Sequence, residues 1–295
     1  MTKASEAKGN RRRPRKYSGR LWLAPALIVL GALSIYPLLF AVQVSFRTPS
    51  GYGFGNFSRL INDRLFLISL FQTLVYTAGA LAVEFGIGLG LALLANRQFR
   101  GRGLLRSVLL IPMLLPPVVV AVIWRLILNP EFGVLNGTLR LLGIDTAPLT
   151  WAAAENTALP SVMLVDIWEW TPFLFLLLLA GLQSLPVEPF EAATVDGASK
   201  WQILRHLTLP MLKPVIAIAV LLRGMDLLRV FDQVFILTQG GPGFATETVT
   251  LYIYRTAFRF YNFGYAVVMS FVLLIATTVI ARSFLRLLGR QPASA

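Results

Sequence analysis

Residues 191–210 read EAATVDGASKWQILRHLTLP, a short polar stretch between two long apolar ones, and its reading decides the architecture. Pro189 sits where a helix tolerates proline, in its first turn, and Glu188 and Glu191 fall where carboxylates complement the helix dipole. A helix therefore starts near Pro189, and Gly197 supplies the positive φ that ends it. Ser199 with Gln202 three residues on has the spacing of a capping box, so a second short helix starts near Lys200, and Pro210 is expected to break it. On that second helix Trp201, Leu204 and Leu207 make one apolar stripe, opposite Lys200 and Arg205. Two uses fit such a helical pair: resting on the lipid surface, or entering a groove on a soluble partner.

The rest of the chain is lipid-like. Of 295 residues 56% are hydrophobic and 14% charged, mean hydropathy is +0.68, and there is no cysteine. This is the composition of an all-α integral membrane protein, and the missing cysteine removes thiol catalysis, disulfides and zinc–thiolate sites. Six stretches are long enough to cross a bilayer: 21–46, 66–95, 104–128, 160–182, 212–237 and 263–287. They form one transmembrane domain over residues 21–290, with a core at 66–287 and the polar insert at 185–211.

The net charge of +13 is strongly segregated. Eight Lys and Arg lie in residues 1–20, read as a disordered basic tail against anionic headgroups; without aromatic stacking partners there it is no nucleic-acid site. The first span exceeds a signal-peptide core and no small-residue cleavage site closes it. With the N-terminus inside, the inner connections hold eighteen basic residues and the outer ones six. Both termini and the 185–211 insert are thus expected in the cytoplasm, with the chain a multi-pass membrane protein.

Several ionisable residues fall inside the spans. Arg223, Asp226, Arg229 and Asp232 alternate in sign three residues apart, and two readings stand: internal neutralisation, or Asp226, Arg229, Asp232 and Gln233 lining a translocation path. Arg223 and Arg229 would in the second case suit an anionic cargo. Asp166, Glu169 and Trp170, beside Trp168, combine carboxylates with an aromatic face as sugar sites do, although an interfacial aromatic belt accounts for tryptophan equally well. Pro112, Pro116 and Pro117 are expected to kink or unwind the third span. Gly86 and Gly90 have small-xxx-small spacing with Gly88 between them, and the sequence names no partner for the nearby Glu84. The single His206, in the insert, is read as solvated or partner-facing, and nothing near it suits an intramembrane enzyme. No GxxxxGK[ST] phosphate loop is present.

The insert resembles the cytoplasmic signature of permease subunits of bacterial binding-protein-dependent ABC importers, in EAA, Asp196-Gly197-Ala198 and Leu209-Pro210. Ile111-Pro112, Pro116-Pro117, Trp124-Arg125, Asn129-Pro130, Gly133 and Asn136-Gly137 are similar to the carbohydrate branch of that family, which includes the maltose and glycerol-3-phosphate importers. So are Trp168 to Pro172, Ala180 to Gln183, Phe231-Asp232 and Leu237 to Gly243. The resemblance covers residues 21–287 and implies a six-helix type I importer permease fold in which the EAA segment is a coupling helix docked in an ATPase. Glu191, Ala192, Ala193, Asp196 and Gly197 take that role position by position. It also implies a second homologous permease, two cytoplasmic ATPase subunits that hold ATP and Mg, an extracytoplasmic binding protein, a carbohydrate cargo, and no cofactor or catalysis in this chain. The extra spans and large periplasmic insertion of the longer maltose permease are absent here. The rival reading is an ion-coupled transporter or channel.

Overall fold

The computed structural model describes residues 18–49, 51–97, 99–146 and 149–289; the basic tail of residues 1–20 lies outside them except where residues 18–20 open the first helix. In chain order come α1 (Ser18–Ser45), the two-residue strands β1 (Arg47–Thr48) and β2 (Gly51–Tyr52), α2 (Gly55–Asn62) and α3 (Arg64–Ala95). Next are α4 (Arg102–Leu114), α5 (Pro117–Ile127), α6 (Val134–Leu141) and α7 (Glu155–Gln183). The insert supplies α8 (Glu188–Val195) and α9 (Lys200–Ile203), and α10 (Leu209–Leu227), α11 (Asp232–Leu237), α12 (Val249–Tyr254) and α13 (Phe263–Gly289) follow. β1 and β2 pair antiparallel in a hairpin, Arg47 opposite Tyr52.

Four of these helices are long and apolar enough to cross a membrane by themselves: α1, α3, α7 and α13. The expected third span is broken, as its prolines suggested, with α4 and α5 meeting at 96° across Leu115-Pro116. Pro116 has no amide hydrogen to donate, and Pro117 begins α5 at a position where a missing amide costs nothing. The expected fifth span is also divided. α10 carries Lys213, Arg223 and Asp226 and stops at Leu227, and the backbone turns before α11. After the break Asp232 and Gln233 open α11, which packs on α5.

The bundle is organised around α3 and α7. The buried face of α3 is the stripe Ser69, Thr73, Tyr76, Ala80, Glu84, Gly88, Ala92 and Ala95, residues three or four apart and mostly small. Two apolar clusters follow from it. Tyr76 and Ala80 pack with Val162, Val165, Val234 and Leu251, while Ala92 and Ala95 pack with Phe175, Leu178 and Leu212.

The close approach expected at Gly86 and Gly90 occurs at Gly88 instead. Gly86 and Gly90 are exposed and nothing lies within 4 Å of a Cβ built on either. Gly88 is the close-approach residue, where a Cβ would sit 3.1 Å from Leu174 Cβ and 3.2 Å from the Phe175 amide of α7. Spacing alone marked three small residues, but only Gly88 shares the buried stripe with Glu84, four residues before it.

At the other end of α3, Asp63 caps the helix, accepting hydrogen bonds from the Leu65 amide at 2.9 Å and the Phe66 amide at 3.1 Å. Its second oxygen accepts from the Tyr252 and Tyr265 hydroxyls, so one carboxylate joins the starts of α3 and α13 to α12. Partial burial pushes the Asp63 carboxyl up, but the tyrosine and amide hydrogen bonds outweigh it and hold the group below its ordinary value.

Leucine at Gly88 and at Gly86 separates the two faces. Gly88→Leu should destabilise the detergent-solubilised protein by about 1–3 kcal/mol through overpacking against α7, whereas Gly86→Leu, on the exposed face, should melt within about 0.5 kcal/mol of wild type. Thermal unfolding of the two variants checks this.

Candidate functional site

The expected pathway residues converge. Asp166 and Trp170 from α7, Asp226 from the end of α10, Arg229 from the turn after it, and Asp232 and Gln233 from α11 line one cavity of about 190 Å³ together with Arg223. Glu169 stands behind this wall and accepts a hydrogen bond from Gln233 Nε2 at 2.9 Å. Eight residues drawn from two separate sequence stretches thus meet where α7, α10 and α11 come together.

The centre of the arrangement is Arg223, only 2% exposed. Its Nε donates to Glu84 Oε2 at 2.8 Å and its Nη2 to Glu84 Oε1 at 2.9 Å, a two-pronged pair between α10 and α3. Nη2 also donates to Asp166 of α7, and Nη1 donates to Asp226 Oδ2 at 2.9 Å. The Trp170 ring lies 5.2 Å from the guanidinium carbon. Guanidinium geometry suits this role, because its planar fork can serve several carboxylate oxygens at once.

Internal neutralisation within the alternating run therefore holds only in part. Arg223 does pair with Asp226, but its buried partners come from other helices. The next pair along, Arg229 with Asp226, is 4.0 Å apart with both side chains more than half exposed, a contact that contributes little. Asp232 makes no ion pair among the described residues. Arg223 does not stand ready for an anionic cargo as expected: three carboxylates already occupy its donors, and among the described residues lining the cavity Arg229 is the remaining cation.

The two tryptophans of α7 divide the readings between them. Trp168 faces outward and packs edge-on against Trp124 of α5, with ring centroids 5.6 Å apart, while Trp170 faces the cavity. Two residues on a helix differ by about 200° in direction, so one ring faces away from the cavity and the other lines it.

A second polar cluster lies between α11 and α12, in residues the sequence reading assigned no role. Gln239, Gly240 and Gly243 have positive φ, and a Cβ on Gly240 would lie 2.0 Å from Glu247 Oε2. Glu247 is buried and accepts a hydrogen bond from Arg255 Nη1 at 2.6 Å, and Arg255 also donates to the Gln239 carbonyl. Burial pushes the Glu247 carboxyl up against the opposing pull of Arg255. The glycine at 240 was the available signal, since it lets a buried carboxylate press against the loop backbone.

The insert has the expected local chemistry. Pro189 lies in the first turn of α8, with Glu188 and Glu191. Gly197, at φ +76°, closes the helix: Ala198 N donates to Ala193 O at 2.9 Å and Gly197 N to Thr194 O at 3.1 Å, the two bonds of a Schellman motif. The capping box is complete, with Ser199 N donating to Gln202 Oε1 at 2.8 Å and Gln202 N to Ser199 Oγ at 3.3 Å. Pro210 does not break the second helix. A widened π turn at Leu204–Thr208 carries the chain from α9 directly into α10, and Pro210 falls in its first turn. Glu191, Ala192, Asp196 and Gly197 are exposed, as is Val195 at 87%. Ala193, Asp196 and Gly197 line a concavity of about 430 Å³ shared with Gln202 and His206.

Arg223→Met should be far more damaging than its size change implies, because it leaves Glu84 and Asp166 buried without their cation. The expected loss is about 3–5 kcal/mol, read as a lower unfolding midpoint in detergent. Asp226→Asn, at the half-exposed edge, should cost under about 1 kcal/mol.

A family model described as the binding-protein-dependent transport system inner membrane component matches residues 85–292. The chain is 36% identical over 275 residues to the trehalose/maltose transport system permease protein MalF of Thermococcus litoralis, covering 89% of this chain and 91% of that protein. It is 34% identical to the sulfoquinovosyl glycerol transport system permease protein SmoG of Agrobacterium fabrum, covering 91% and 89%. Among solved structures, a bacterial alginate ABC transporter in complex with an alginate pentasaccharide-bound periplasmic protein superposes with a TM-score of 0.78 at 25% identity, covering 90% of this chain and 93% of that one. With the family match spanning most of the bundle and the relatives spanning nearly all of it, this chain belongs to the binding-protein-dependent transport system inner membrane components, the permeases of ABC importers.

Proposed function

We propose that this permease passes a carbohydrate from an extracytoplasmic binding protein across the bacterial inner membrane, driven by ATPase subunits that dock on the insert. The observation that carries the reading is the pair α8–α9: a helical hairpin closed at Gly197, capped at Ser199, and projecting exposed small and apolar side chains between α7 and α10. Exposed apolar residues such as Val195 and Trp201 on the hairpin suit insertion into a protein groove. In this reading Glu191, Ala192, Ala193, Asp196 and Gly197 form the contact with the ATPase, and ATP and Mg belong to that partner.

The excess of basic residues near the inner connections supports a cytoplasmic insert and cytoplasmic termini. A second permease subunit supplies the other half of the pathway and a second ATPase completes the assembly. Cargo passes beside Trp170, Asp226, Arg229, Asp232 and Gln233, an aromatic face with hydrogen-bonding groups around it, as sugar recognition requires. Relatives named for trehalose/maltose and for sulfoquinovosyl glycerol agree with a glycoside cargo.

Gly197→Val tests the coupling. The left-handed backbone there costs an L-residue roughly 1–2 kcal/mol per position, enough to distort the turn without altering the spans. The expected outcome is normal membrane insertion and ATP hydrolysis no longer matched by solute uptake in the purified importer; undiminished uptake would refute the role of the turn.

A further inference from the structure

Where α1 ends and α13 begins, the two helices part around a groove of about 760 Å³. α13 presses on this corner at Gly264, where a Cβ would lie 3.1 Å from the Val44 carbonyl of α1 and 2.5 Å from the Arg47 carbonyl just beyond it. Alongside that pinch Phe40, Val44, Phe263 and Val267 give the groove apolar walls. Arg47 and Tyr261 also line it, and both are exposed.

Arg47 is displayed from ordered backbone. Its carbonyl accepts a hydrogen bond from Asn56 Nδ2 at 2.9 Å, and β1 pairs it with Tyr52. Its guanidinium forms no salt bridge among the described residues. Phe40 and Phe263 are exposed on the apolar flanks of two spans, so lipid acyl chains reach this groove in a bilayer. The end of a span is the depth of the headgroup layer, where tyrosine is favoured and a cation meets phosphate. A protein segment seated here would instead bury an arginine that lacks a carboxylate.

We propose that this groove is a phospholipid site: an acyl chain lies along Phe40, Val44, Phe263 and Val267, and the headgroup phosphate pairs with Arg47. Tyr261 closes the headgroup end. The lipid then fills the space between α1, which touches the bundle only sparingly, and α13.

The test uses the importer complex purified through an affinity tag on this chain in mild detergent, with phosphatidylglycerol titrated and bound lipid counted by native mass spectrometry. Wild type should retain phosphatidylglycerol, and Arg47→Gln should bind it on the order of tenfold more weakly, as expected for a lost charge-assisted hydrogen bond. Ala41→Phe, which fills the groove and keeps the charge, should displace the lipid as well. Unchanged binding in both variants would overturn the assignment. So would a Val267→Cys thiol, unique in this cysteine-free chain, that cross-links to the second permease subunit with no lipid retained.

Discussion

One guanidinium ties three helices together. Arg223 of α10 holds Glu84 of α3 with two hydrogen bonds and Asp166 of α7 with another, all three side chains withdrawn from solvent, and reaches the half-exposed Asp226 on its own helix. Ionised groups are costly in a low-dielectric interior unless each is paired, so none of these residues is tolerable there alone. The cluster accordingly restricts how α3, α7 and α10 can be arranged. The small-residue stripe of α3 brings the backbones close enough for the pairs to form, with Gly88 four residues beyond Glu84 pressed on Leu174 and Phe175 of α7.

That constraint bears on transmission. The α8–α9 hairpin joins the end of α7 to the start of α10, the two helices that the arginine links deeper in the bundle. A displacement of the hairpin acts on both helices at once, and their buried connection resists sliding between them. The widened turn at Leu204–Thr208 keeps α9 continuous with α10 past Pro210, so no loose joint separates the hairpin from the helix that carries Arg223, Asp226 and the cavity edge. The π turn is a sequence departure from ideal helix placed where it retains, rather than interrupts, mechanical continuity.

Much of the local structure was legible in the sequence, because its determinants are local. Pro189, Gly197 and the Ser199–Gln202 pair marked the hairpin ends, and Pro116-Pro117 marked the break between α4 and α5. What escaped was set by tertiary context. Glu84 and Arg223 are 139 residues apart, and nothing in either neighbourhood names the other. Gly86, Gly88 and Gly90 differ only in which face of α3 they occupy, and a spacing rule without the buried stripe selects the wrong pair. The division between α10 and α11 has no proline to announce it; Phe231 departs from helical geometry at φ −139°, and the chain turns there to lay α11 on α5. The cavity-lining residues stood out because carboxylates and an aromatic in apolar spans are conspicuous, while the buried role of Arg223 required the fold.

The central claim is that the exposed α8–α9 hairpin seats in a separate ATPase subunit. The chain has no cysteine, so Ala193→Cys places a single thiol on the hairpin concavity. In the intact importer treated with a short bismaleimide, a cross-link from position 193 to the ATPase subunit is the predicted result. A thiol at 193 that reacts freely with a water-soluble maleimide in the assembled complex, and yields no cross-link to the ATPase, would contradict it.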